Sequence, residues 1–235
     1  MFAFKQFFVA QDQCAMKIGT DSVLLGAWCP VSHNPKSILD IGAGTGVLSL
    51  MMAQRTNAHQ IDAIEIEEQA FEQCVFNFEH SKWNDRLFCY HASLDEFVEE
   101  PEDEYDLIIS NPPFFSEDFK TESAARDLAR FQDAMPFEDL VDAAALLLSE
   151  NGVFAVVIPY KEEEFFIDLC AEVSLHPTQI TRVRGINTGP IVRSLLAFKR
   201  YELAVLTASE LIIEHNRHEY TDDYINLTKD FYLKF

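Results

Sequence analysis

A doubly wound α/β fold built on a mainly parallel sheet is what this chain predicts. Short apolar runs alternate with stretches of helical length, and the strongest turn signals fall directly after two of those runs. The runs are Ser37 to Ile41, Ile61 to Ile66, Leu87 to His91, Asp106 to Ser110, Gly152 to Ile158 and Ile191 to Phe198. Between them Val47 to Arg55 and Ala70 to His80 carry apolar residues at helical spacing. Phe137 to Leu148 does the same after Pro136, a residue suited to a helix start. Residues 1–30 are aromatic and nearly neutral and read as a short extension packed on the domain. The last 16 residues read as an amphipathic helix with an aromatic face that also packs back.

With 235 residues and 48% apolar content, one sizeable core and a single domain spanning 1–235 are expected. No run approaches the roughly 18 apolar residues of a membrane span, and Met1 to Ala10 lacks the layout of a secretory signal. A soluble cytoplasmic protein, monomeric and without a membrane partner, is the expectation. Cys14, Cys29, Cys74, Cys89 and Cys170 are scattered without metal spacing, and the seven histidines are dispersed, so no metal site is expected. The formal charge of −21 disfavours a nucleic-acid partner unless the charge is uneven. It is uneven: Asp95 to Asp106 holds eight acids and no base, whereas Thr178 to Arg200 has five basic residues, Arg182 and Arg184 among them, and no acid. A solvated acidic stretch and ordinary edge-strand charge would account for the same pattern.

Asp40-Ile41-Gly42-Ala43-Gly44-Thr45-Gly46 follows the first strand and opens a helix. Glycines there permit a tight turn and a close approach of backbone to ligand, with helix-start amides facing it. A nicotinamide enzyme would also want such a loop. The GxGxG spacing departs from the dinucleotide fingerprint, however, and Asp40 would repel a pyrophosphate while suiting the methionine ammonium of S-adenosylmethionine. Glu65 ends the second strand 19 residues after Gly46, the position of a carboxylate that accepts from both ribose hydroxyls. Ile66 beside it is placed for the adenine face, and Ser93, with Asp95 close by, for the adenine amine.

Asn111-Pro112-Pro113-Phe114 stands directly after the fourth strand, at the edge where open α/β sheets bind ligands. An exocyclic aromatic amine is a poor nucleophile because its lone pair is delocalised into the ring. The Asn111 side-chain carbonyl and the Pro112 main-chain carbonyl can hold both amine hydrogens and stabilise the positive charge that grows on nitrogen. Consecutive prolines stiffen the loop, and Phe114 offers a face on which a splayed-out base can stack. The same four residues could also be a simple strand-terminating turn.

Taken with these motifs, Lys17-Ile-Gly-Thr20-Asp21-Ser-Val-Leu-Leu-Gly-Ala-Trp28 and Phe231-Tyr232-Leu233 give the chain a specific likeness. It resembles the bacterial tRNA1(Val) adenine-N6 methyltransferases along essentially its whole length. The resemblance implies a Rossmann-like methyltransferase fold with a seven-stranded sheet and helices on both faces. It also implies S-adenosylmethionine as cofactor, and tRNA as partner, modified on the adenosine 3′ of the anticodon. By the same likeness Thr20 and Asp21 lie near the cofactor's methionine end, and Arg126 and Arg130 follow the catalytic loop as the family's arginines do. One departure stands out: Phe131 occupies a position where the family tends to have histidine. NPPF is shared with guanine-N2 enzymes and, as NPPY, with enzymes methylating protein glutamine, which are the alternatives within the class. A catalytically silent RNA-binding protein and a nicotinamide oxidoreductase are the alternatives outside it.

Overall fold

The computed structural model describes residues 1–14, 16–99, 104–113, 135–203 and 205–235. A small hairpin, β1 (Phe2–Ala3) with β2 (Phe8–Val9), precedes helix α1 (Thr20–Trp28). The main sheet then begins with β3 (Ser37–Ile41), α2 (Val47–Arg55), β4 (Gln60–Glu65), α3 (Glu68–Glu79) and β5 (Leu87–His91). Next come α4 (Leu94–Glu99), β6 (Tyr105–Ser110), α5 (Phe137–Leu147) and β7 (Leu148–Pro159). A single 3-10 turn at Tyr160–Glu162 leads into α6 (Glu163–Glu172), then β8 (His176–Ile186) and β9 (Ile191–Lys199). The last elements are β10 (Thr207–Asn216), β11 (Glu219–Tyr220) and α7 (Asp222–Thr228).

Among the described residues the main sheet has nine strands in the order β11-β10-β8-β9-β7-β6-β3-β4-β5. β3 to β7 are mutually parallel, and β9 runs antiparallel to both its neighbours, β7 and β8. The seven expected strands are thus β3 to β9, and the expected count falls short by β10 and β11 on the far edge. β10 pairs parallel with β8, and the two-residue β11 closes that side.

Successive residues of the central strands point to opposite faces, which is why their runs are apolar throughout. Ile38, Leu107, Val153 and Ala155 enter one core with Leu24, Leu25, Met51 and Phe78 from α1, α2 and α3. Leu39, Ile108, Phe154 and Val156 enter the other with Leu140, Val141 and Phe166 from α5 and α6. Both ends of the chain pack on the first of these faces. Lys5 donates its main-chain amide to the Phe231 carbonyl, and its ammonium to the carbonyls of Lys229 and Phe235. Phe4 stacks against Phe7 and Tyr232. The expected terminal helix is shorter than predicted. Only Asp222–Thr228 is helical, and Phe231, Tyr232 and Phe235 reach the aromatic cluster from the turns that follow.

Candidate active site

Strand register brings three predicted loops to one place. Chain order reverses between β3, which continues outward to β4, and β6 on its other side, so their carboxyl ends flank the crevice where open α/β sheets take ligands. Ile41 pairs with both Ile64 and Ser110, so Gly42, Glu65 and Asn111 leave the sheet side by side. The Ser110 hydroxyl donates to the Ile41 carbonyl at 2.8 Å and pins the two ends together.

Gly42, Gly44 and Gly46 all have positive φ, at 72°, 54° and 74°. The amides of Gly42 and Ala43 both donate to the Ile64 carbonyl at 3.0 Å, folding the loop back over β4. A Cβ at Gly42 or Gly44 would meet nothing within 4 Å, so the loop presents bare backbone to open space. At Gly46 the reason for glycine differs, because a Cβ there would run into Phe78 and Cys74. Glu65 Oε2 accepts from the Gly44 amide at 2.7 Å and Oε1 from the Glu67 amide at 2.9 Å. Both carboxylate oxygens retain acceptor capacity. Ile66 beside it is 59% exposed, an uncovered apolar surface next to a carboxylate.

Asp40 is fully buried beneath this loop. Its Oδ2 accepts from the amide and hydroxyl of Ser49 in α2, at 3.1 and 2.7 Å. Its Oδ1 has no hydrogen-bond partner among the described residues. Burial pushes its carboxyl up to about 7, against the two Ser49 hydrogen bonds and with a smaller push from Glu65. The glycine cradle and this unmatched buried acceptor fit a ligand that carries a cation.

Asn111 is partly buried, Pro112 buried and Pro113 partly exposed. Asn111 Nδ2 donates to the Ser22 hydroxyl oxygen in α1 at 2.8 Å, and its Oδ1 is buried with no partner among the described residues. Asp21, next to Ser22, accepts from Arg193 Nε of β9 at 2.8 Å, and Thr20 opens the helix. Helix α1 is thereby fixed against the catalytic edge. Phe114, Arg126, Arg130 and Phe131 lie outside the described residues.

Two groups of expected site residues already have partners within the chain. Ser93 is committed to a reciprocal cap of α4: its amide and hydroxyl both donate to Glu96 Oε2, at 2.9 and 3.0 Å, and its hydroxyl accepts from the Glu96 amide. The polar groups proposed for an adenine amine are therefore already engaged. The acid-free stretch is likewise no bare positive track. Arg182 is held by Glu163 through Nε and Nη2, the shorter contact being 2.6 Å, and Ser194 donates its hydroxyl to the same buried carboxylate. Arg184 pairs with Glu210 at 2.8 Å and Arg200 caps the end of α5 through the carbonyls of Ala145 and Leu148. The acids come from α6 and β10, outside the stretch in sequence but beside it in space.

Sequence reasoning passed over Ser22, whose contact with Asn111 spans 89 positions, and Asn77. The Asn77 amide accepts from the Ala10 amide at 2.8 Å and donates to the carbonyls of Ala10 and Thr45, both at 2.9 Å. It ties the N-terminal segment to the glycine loop. Among the described residues no group of three or more side chains could hold a metal ion, and no helix is long and apolar enough to cross a membrane.

The chain is similar to known proteins. Residues 14–167 match the Methyltransferase small domain family. A predicted O-methyltransferase of Agrobacterium tumefaciens superposes with a TM-score of 0.70 at 20% identity, over 90% of this chain and 96% of that one. That likeness concerns the fold alone. A tRNA1(Val) (adenine(37)-N6)-methyltransferase of Flavobacterium johnsoniae is 65% identical over the whole of both chains. The protein of the same description from Proteus mirabilis is 39% identical over all of this chain and 94% of its own. The glycine cradle, the paired strand ends and this full-length similarity lead to one conclusion: the chain belongs to the tRNA1(Val) (adenine(37)-N6)-methyltransferase family.

Proposed function

We propose that this protein methylates the N6 amine of adenosine 37, 3′ of the anticodon, in tRNA1(Val), with S-adenosylmethionine as donor. The observation that carries the reading is the partnerless, buried Asn111 Oδ1 at the end of β6, with its Nδ2 already secured on Ser22. Asn111 Oδ1 and the Pro112 carbonyl accept from the two amine hydrogens, which become stronger donors as positive charge develops on nitrogen. Pro112 and Pro113 keep the two acceptors from relaxing away. Phe114 is assigned the stacking face for the base.

S-adenosylmethionine supplies an electrophilic methyl group. Glu65 receives the ribose hydroxyls, Gly42, Gly44 and Gly46 let the backbone come close, and Ile66 covers the adenine. Asp40, with an unmatched oxygen, supplies the negative charge that suits the ammonium, and Thr20 and Asp21 border that end. Ser93 contributes position more than hydrogen bonds, since α4 already uses them. Arg126 and Arg130 are assigned to RNA, whereas Arg182 and Arg184 offer it only the charge left after Glu163 and Glu210. We further propose that residues 1–235 act as one domain, as a monomer, in the cytoplasm where tRNA is matured.

The test is incubation with tRNA1(Val) transcript and methyl-labelled S-adenosylmethionine, followed by nucleoside mass spectrometry. N6-methyladenosine is expected, and none from a transcript with guanosine at position 37. Label in guanosine, or in a protein glutamine, would overturn the substrate assignment.

A further inference from the structure

We propose that Ser22 is a positioning residue that holds the Asn111 amide in place at the end of β6, and so keeps its carbonyl oxygen where the target amine needs it. The inference rests on the reading of Asn111 as an acceptor and adds the group that holds it in place. A serine hydroxyl can serve either end of an asparagine amide, so what Ser22 fixes is the place of that amide, through one hydrogen bond that leaves the other end unengaged. Here Nδ2 donates to Ser22 Oγ at 2.8 Å, and Oδ1 is left buried without a partner among the described residues.

Ser22 can hold this position because its helix is itself held. The neighbouring Asp21 is paired with Arg193 at 2.8 Å, and at the other end of α1 Trp28 Nε1 donates to Thr181 Oγ1 at 2.8 Å. Ser22 is itself buried between these two anchors. Without the Ser22 oxygen the Asn111 amide loses its hydrogen bond to α1 and Nδ2 becomes a buried donor with no acceptor, so the side chain is no longer held in this position. The catalytic loop would then keep its residues and lose its aim.

The experiment is a double-mutant cycle on tRNA methylation with S22A, N111A and the double variant, with KM and kcat measured for tRNA. S22A is expected to lower kcat about tenfold or more, with KM for tRNA and S-adenosylmethionine affinity within about threefold of wild type. Adding S22A to N111A should change turnover by less than about twofold, because the residue through which Ser22 acts is already gone. Multiplying effects, or wild-type kcat in S22A, would overturn the role of Ser22. Wild-type turnover in N111A would instead overturn the reading of Asn111 itself. S22C keeps the size and a weaker acceptor, so it should fall between wild type and S22A. A value below S22A would assign the effect to packing and sink the proposal. Selective 15N-asparagine labelling reads the contact without activity: the Asn111 amide pair should shift in S22A while the melting temperature stays near wild type. An unmoved signal would also count against it.

Discussion

Two alanine substitutions only two residues apart in sequence should fail in different ways. Gly44 and Gly46 both sit at positive φ, so an alanine at either costs about 1–2 kcal/mol of backbone strain. At position 46 the new Cβ would also stand 2.5 Å from Phe78 Cε1 and 2.8 Å from Cys74 Sγ. Both neighbours are buried in the core under α2, so the clash is relieved only by repacking, at about 1–3 kcal/mol more. Gly46→Ala should therefore lose roughly 2–5 kcal/mol of unfolding free energy, and Gly44→Ala roughly 1–2. The order reverses for the cofactor. At position 44 the methyl group projects into open space, and S-adenosylmethionine affinity should fall about tenfold or more, near 1.4 kcal/mol. Urea unfolding of the ligand-free protein and calorimetric titration with S-adenosylmethionine measure the two quantities separately. Equal stabilities for the two variants would show that Phe78 and Cys74 yield freely. Unchanged affinity in Gly44→Ala would show that the cofactor does not pass over that backbone.

Glu65→Ala should weaken S-adenosylmethionine by roughly 1.5–3 kcal/mol in the same titration, and it should also loosen the loop, because Gly44 and Glu67 lose their acceptor. Arg182→Ala strands the buried Glu163 and should cost roughly 2–4 kcal/mol by urea unfolding, whereas Arg184→Ala breaks an exposed pair worth less than about 1 kcal/mol. Equal costs would mean that Glu163 finds enough from Ser194 alone. Asp40 sets a pH dependence: its folded carboxyl titrates at about 7, above its unfolded value, so the folded protein holds a proton the unfolded chain has released. Wild-type stability should fall as pH rises from about 4 to about 7 on this account, with the loss complete above that. Asp40→Asn removes the loss, so its thermal stability should exceed wild type near pH 8 and converge with it near pH 4, while it binds S-adenosylmethionine more weakly. A pH-independent difference between the two would remove Asp40 as the cause.

Most strands that were legible in the sequence are central ones buried on both faces, and β5, the half-exposed edge strand, was legible from its apolar run alone. β3 and β5 begin and end where the apolar runs do, and β4, β6, β7 and β9 differ only at their ends. β8 and β10 were not, because polar and charged residues interrupt their apolar ones. HPTQITRVRGI alternates threonine and arginine with its apolar residues, and TASELIIEHN is exposed along most of its length. A polar strand of that kind is recognisable only once its neighbour is known. The site divides in the same manner. Gly42, Glu65 and Asn111 were legible because each follows an apolar strand directly, and register alone brings them together. Ser22 and Glu163 act through partners far along the chain, Asn111 at one end and Arg182 at the other. A charge count within one window missed Glu163 for that reason, and likewise Glu210 opposite Arg184.

The anchoring of Lys5 sets an order of events during synthesis. Its ammonium rests on carbonyls 224 and 230 positions downstream, and Phe2 and Phe4 meet Tyr232 from the same late segment. A ribosome adding about 5–20 residues per second takes on the order of 10–50 s to cover that interval. Throughout it the first hairpin carries Phe2 and Phe4, whose final cover does not yet exist, while the strands between are already able to pair. The hairpin is then a latecomer despite being made first. A nascent chain halted before residue 229 would present that aromatic surface to any chaperone that reads exposed apolar side chains.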